Sequence, residues 1–333
     1  MRNRMFSIAV VLCVAMVVWL AVVTLTGPAK GIEAPGNAED LLAAVRLGCE
    51  TAASRVSTST GQVTVHEWYW RSNGELIETD AVYTVASLGD KFKGVAEVHY
   101  VKNEASVPES DSRQQSIAPG TVLKQQLAYD GEKVTSYNPA EQCARIAGLD
   151  SQAGRDLTMM KLTVMNPGHG VPSLPTGSPS PHYITSSGPY VVGREVVNGD
   201  ECIVVELVDM VIDVNGDEVA YHNRSWINPQ RGFTISKSQS SARGGMFGEG
   251  DLVAQAGVET RQYADDLWGI SEARTEQYAL DSSGTRYLQR RNITTFADDY
   301  QLNAPVTEEM LTIQLPSGTK VHNELIDAEY TVP

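Results

Sequence analysis

Five short dipeptides, spread from residue 73 to residue 284, dictate most of what this chain can become: Asn73-Gly74, Asp130-Gly131, Asn198-Gly199, Asn215-Gly216 and Ser283-Gly284. Asn-Gly and Asp-Gly readily adopt the positive φ angles of type I′ turns, whose twist matches that of two flanking strands. The segments between them are rich in Val, Ile, Tyr, Trp and Thr and alternate with a period of two, so repeated hairpins and an antiparallel meander are expected. The pattern is clearest after Asn198-Gly199. There Ile203, Val205 and Leu207 point to one face and Cys202 and Val204 to the other. A sheet apolar on both faces is covered on both sides or wraps around something.

Helical spacing is confined to a few places. Leu41, Ala44, Val45, Cys49 and Ala52 form a 3/4 stripe that predicts a helix from about Ala38 to Ala53, with Asn37 as its cap and Glu39 and Asp40 in the first turn. Asn138-Pro139-Ala140-Glu141 reads as a cap, a first-turn proline and a third-position acid, predicting a helix start, and another helix is predicted over Gly154 to Met165. Asn166 to Tyr190 carries six prolines, and Ser241 to Asp251 is glycine-rich. Both read as loops, giving long loops near 166–190 and 241–251.

The N-terminus is of a different kind. Arg2 and Arg4 precede an uncharged run from Met5 to Leu25, which as a helix at about 1.5 Å per residue spans roughly the 30 Å of a hydrocarbon core. It is longer than the apolar core of a cleaved signal and lacks an A-x-A site, so residues 1–27 read as a retained transmembrane signal anchor and 28–37 as a linker. Positive charge before the run holds the start of the chain on the cytoplasmic side. The expected localisation is the cell inner (cytoplasmic) membrane, single-pass, with residues 38–333 folded on the extracytoplasmic (periplasmic) side.

The chain has 26 Lys and Arg against 41 Asp and Glu, a formal charge of −15. All the acids, and all the bases but Arg2, Arg4 and Lys30, lie from Gly31 onward. Such a surface repels phosphate backbones, so nucleic acid is not an expected partner. Of the three cysteines beyond the run, Cys49 lies on the helix stripe and reads as a buried thiol, leaving Cys143 and Cys202 as the candidate disulfide.

Signatures of catalysis are sparse. G-x-S-x-G, P-loop, H-E-x-x-H, C-x-x-C and G-x-G-x-x-G patterns are missing, so no catalytic residue, metal ligand or cofactor is assigned. The histidines (His66, His99, His169, His182, His222, His322) lack ligand spacing. Asp213-Val-Asn-Gly-Asp217 resembles a calcium-loop start but has Glu218 and Arg224 where that loop needs Gly and Glu, so a hairpin turn is expected. The pairs Asp265-Asp266 and Asp298-Asp299 are the only carboxylates that suggest acid–base work. Trp68-Tyr69-Trp70 puts two indoles on one strand face, as core or as cavity lining. Asn223 and Asn292 match the Asn-x-Ser/Thr pattern.

Three segments together resemble the LolA/LolB-type lipoprotein-carrier superfamily, which includes related envelope sensors. They are Gly193 to Leu207, the tryptophan-led Ser225 to Lys237, and the C-terminal stretch with Asn303, Pro305, Val306, Leu311, Ile313, Pro316, Gly318, Thr319 and Val321. The chain departs from the family at Leu315-Pro316, where two prolines are common, and at Asn323, where an aspartate is. The cargo-handling arginine of true carriers has no placed equivalent, so cargo transfer does not carry over. The resemblance implies an α+β fold: a strongly curved antiparallel β-sheet, an incomplete barrel, with helices covering its concave face and room there for acyl chains. The leading functional expectation is a non-enzymatic, membrane-anchored protein binding a lipid, lipoprotein or other amphiphile. A regulatory sensor contacting a membrane protein partner is the second, and a hydrolase the third.

Overall fold

The computed structural model of the protein describes residues 38–104, 117–165, 182–213, 216–245, 247–281 and 283–333. The expected anchor (1–27), the linker (28–37), the Asn37 cap and residues 166–181 of the proline-rich stretch lie outside them. Contacts group the chain into two compact units, residues 1–55 with 168–291, and 56–167 with 292–333.

Helix α1 (Ala38–Ser54) opens the first unit. The second begins with strands β1 (Thr58–Trp70), β2 (Leu76–Leu88) and β3 (Lys91–Asn103), each 13 residues long. Then come β4 (Val122–Tyr129), β5 (Val134–Asn138), β6 (Cys143–Ala147) and helix α2 (Gln152–Met165). The first unit resumes with β7 (His182–Ser186), β8 (Tyr190–Val197), β9 (Asp200–Ile212), β10 (Glu218–Asn228) and β11 (Thr234–Gly244). It continues through β12 (Phe247–Ala264), β13 (Leu267–Leu280) and the start of β14 (Arg286–Phe296). The second unit closes with β15 (Gln301–Leu302), β16 (Lys320–Asn323) and β17 (Ala328–Thr331).

In the second unit β1 to β6 pair in chain order, all antiparallel. Alternation then sorts side chains by face. Val63, Val65, Val85, Phe92, Ala96 and Leu127 are buried, as are Leu157, Met160 and Val164 of α2, which packs against β4, β5 and β6. A second cluster joins Ala128, Tyr137 and Ala144 to Ile313 and Val321, sealing the C-terminal segment onto these strands. Thr319, Leu311 and Val321, three positions of the family-like C-terminal pattern, are thus buried, at 1%, 3% and 2% exposure.

In the first unit β8 to β13 form consecutive antiparallel pairs, and β7 also pairs with β9. Helix α1 buries Leu41 and Val45 against Ile203 and Ile227, with Val191, Val205, Phe233, Ile235 and Cys49 around them. Fully burying side chains of this size stabilises by roughly 1.5–3 kcal/mol each. Between β10 and β11, Asn228 caps a short 3-10 turn at Pro229–Arg231 through bonds from the Gln230 and Arg231 amides. The turn delivers Phe233 to Gly48 of α1, where a Cβ would overlap the aromatic ring.

These observations overturn the expected fold class. Among the described residues seventeen strands take part in a mixed hydrogen-bonded pattern, since β16 runs parallel to β6 with Val321 opposite Ala144. The described residues contain only two α-helices, and each covers strands of its own unit. The antiparallel half-barrel with helices gathered over one concave face is therefore not what the chain builds. The physical reason is that 13-residue hairpin strands satisfy their backbone groups locally and that too little of the chain has helical spacing to roof a shared hollow.

Two local expectations are corrected as well. Asn138-Pro139-Ala140-Glu141 is the β5–β6 turn, with Asn138 Oδ1 accepting from the Ala140 and Glu141 amides at 3.0 and 3.4 Å. Ser241 to Asp251 is the hairpin end of β11 and β12. The predicted helices at 38–53 and 154–165 form as α1 and α2.

Replacing Gly48 by Ala forces Phe233 out of its seat and is expected to cost about 1–3 kcal/mol as an overpacking defect. A lowered urea midpoint at unchanged slope is the predicted result; an unchanged midpoint contradicts this packing.

Candidate functional site

Because β9, β10 and β11 alternate in register, the residues between the core positions share the opposite face. Glu206 stands opposite Arg224, Arg224 opposite Gln239, and His222 opposite Ser241. Val205, Ile203 and Ile227 turn to α1; Glu206, His222 and Arg224 turn away from it. There His222, Arg224, Gln239, Ser241, Arg243 and Gly250 line a concavity of about 230 Å³.

Its organising group is Glu206, whose residue is only 3% exposed. Tyr190 donates its hydroxyl to Oε1 at 2.5 Å, His222 Nδ1 lies 3.0 Å from the same oxygen, and Arg224 Nε donates to Oε2. Burial alone pushes the Glu206 pKa up, but the bonds from Tyr190, His222 and Arg224 and the Arg224 charge outweigh it and hold the carboxyl at about 2. It is a carboxylate at any ordinary pH and holds the side chains around it in place.

The polar groups left over belong to residues that line the hollow. Arg224 uses only Nε on Glu206 and His222 only Nδ1. Among the described residues the Arg224 terminal nitrogens, His222 Nε2, the Gln239 amide and the Ser241 hydroxyl have no partner. Trp226 continues this face along β10, donating Nε1 to Glu195 at 2.7 Å, with Lys237 Nζ 4.4 Å from its ring centroid. On β8, Tyr190 (43% exposed) stands opposite Glu206 on this face, while Val196 (72%) stands opposite Glu201 on the other.

The residues singled out in the sequence fall elsewhere, His222 excepted. Asp266 sits in the β12–β13 turn at φ 56, its carbonyl accepting from Arg55 at 3.2 Å, and Asp299 accepts from the Gln62 amide at 3.3 Å. Both acidic pairs therefore serve turns. Asp213 closes the β9–β10 turn, accepting from the Gly216 and Asp217 amides. His66 lies between Glu78 and Asp80, at 2.9 and 2.8 Å, and stacks on Trp68 at 3.8 Å. Asn223 donates to Asp209. Cys49, Cys143 and Cys202 are all free thiols, so no Cys143–Cys202 bond is formed in the structure; Cys202 is fully buried with a bond to Ser236, and Cys143 is exposed. Burial, helped by the neighbouring Glu50, pushes the Cys49 thiol up to about 12. No group of three or more His, Cys, Asp and Glu among the described residues can hold a metal. Nor is any helix among them long and apolar enough to cross a membrane.

Sequence reasoning found the β8–β9 hairpin but not the Glu206 centre. The available signal was the run Glu206, His222, Arg224 on the face complementary to Val205 and Ile227, readable only once the β9–β10 register is known.

No family model matches the chain, and no curated protein does. Among solved structures, an uncharacterized conserved protein from Thermus thermophilus overlays at a TM-score of 0.31 and 10% identity, covering 84% of this chain and 99% of its own. The lipoprotein LppX of Mycobacterium tuberculosis overlays at a TM-score of 0.25 and 9% identity, covering 81% of this chain and 98% of its own. Overlays this loose carry no argument about family or ligand.

Since the folded-state pKa of Glu206 lies below its ordinary value of 4.5, its contribution is fully present above about pH 4.5 and is lost as pH falls through about 2. Glu206→Gln is therefore expected to cost on the order of 3 kcal/mol at pH 7. The gap between the two proteins narrows steadily below pH 4.5. A urea-unfolding series showing a pH-independent gap contradicts the assignment.

Proposed function

We propose that the protein is a non-enzymatic, membrane-tethered extracytoplasmic binding protein for a lipid, a lipoprotein or another amphiphile. The observation that carries the reading is a polar hollow on one face of the first unit with the exposed Tyr190 of β8, opposite Glu206, on that same face. At about 230 Å³ the hollow is smaller than the roughly 300–1,000 Å³ of sites that enclose a drug-sized ligand. It suits a polar head, leaving the apolar remainder to lie along Tyr190. Two of its ionisable groups, His222 and Arg224, are committed to Glu206, an arrangement that favours holding a ligand over moving a proton. The uncharged run at Met5 to Leu25 supports tethering beside a bilayer.

The test is native mass spectrometry of the full chain purified in mild detergent. Lipid-sized adducts that survive activation are expected. A bare polypeptide mass, together with no uptake of a fluorescent lipid, contradicts the reading.

A further inference from the structure

The hollow on β10 and β11 has a chemistry of its own. The Arg224 terminal nitrogens, the Gln239 amide and the Ser241 hydroxyl, all without a partner at its wall, can each donate a hydrogen bond, and Arg224 is already aligned by Glu206. Arg243 adds a second guanidinium to the lining. The Glu206 carboxylate is buried and has both oxygens engaged.

We infer that this concavity binds the anionic, phosphate-type group of the ligand, with the Arg224 terminal nitrogens as principal donors and Gln239 and Ser241 as supporting ones. Guanidinium groups suit this work because their planar fork meets two oxygens at once and stays charged at all relevant pH. Glu206 acts as a positioning residue. It occupies Arg224 Nε and so turns the remaining nitrogens outward, as a second-layer carboxylate does for a metal-bound histidine. The inference rests on the amphiphile reading for the identity of the ligand but not for the existence of the anion site.

The experiment is calorimetric titration of the full chain, in a zwitterionic detergent, with inorganic phosphate, dihexanoylphosphatidic acid and dihexanoylphosphatidylcholine. Wild type is compared with Arg224→Gln and Gln239→Glu. The second variant places a carboxylate at the wall without removing any partner of Glu206, so it tests the site even if Arg224→Gln fails to fold. Phosphatidic acid is expected to bind at least tenfold more tightly than phosphatidylcholine, and either variant is expected to weaken it at least tenfold. Inorganic phosphate binding as tightly as phosphatidic acid, and lost in Gln239→Glu, supports the anion site while overturning the amphiphile reading. Equal binding of the two lipids, insensitive to Gln239→Glu, overturns the anion site and leaves the amphiphile reading standing. No binding of any of the three overturns both.

Discussion

Everything at the proposed site depends on the strict two-residue alternation of paired strands. A strand whose backbone is held by antiparallel neighbours has no freedom over where its side chains go. Once Ile227 faces α1, Arg224 must face away. In the first unit that constraint divides β9, β10 and β11 into an apolar face, closed by Leu41 and Val45 of α1, and a polar face organised by Glu206. The bulge between Trp226 and Ile227 lets the two faces coexist next to the tight Asn228 turn, because it absorbs one residue without shifting the pairs at Arg224 and His222.

The energetics of the two faces differ in kind. The α1 side gains by removing area from water and is sensitive to volume, which is why Gly48 and Phe233 meet without room for a methyl group. The Glu206 side removes a charge from water and is held only by complete pairing. Three donors from three residues answer two carboxylate oxygens, and removal of any one leaves a buried charge short of compensation. A site built this way is stiff before a ligand arrives, so little ordering cost is left to binding.

How much of this was written legibly in the chain varies with distance along it. The hairpins at Asn73-Gly74, Asp130-Gly131 and Asn198-Gly199 and the helices α1 and α2 follow from neighbouring residues and appear where the pattern places them. Asn138 misleads because its side chain does in a turn what a helix cap does, accepting two backbone amides, while the residues after it pair as β6. The sheet's mixed character was not readable, since it rests on Lys320 to Asn323 meeting Cys143 to Ile146, partners far apart in sequence. The Glu206 centre was hidden for the same reason. Its members lie on β8, β9 and β10, brought together by register and not by spacing, and none belongs to a motif.

Hydrogen–deuterium exchange of the full chain with and without dihexanoylphosphatidic acid addresses the division of faces directly. Slower exchange confined to peptides covering β9, β10 and β11, centred on Glu206, His222 and Gln239, is the predicted result. Protection located in the second unit, or spread evenly over both units, would contradict a binding face built on those three strands.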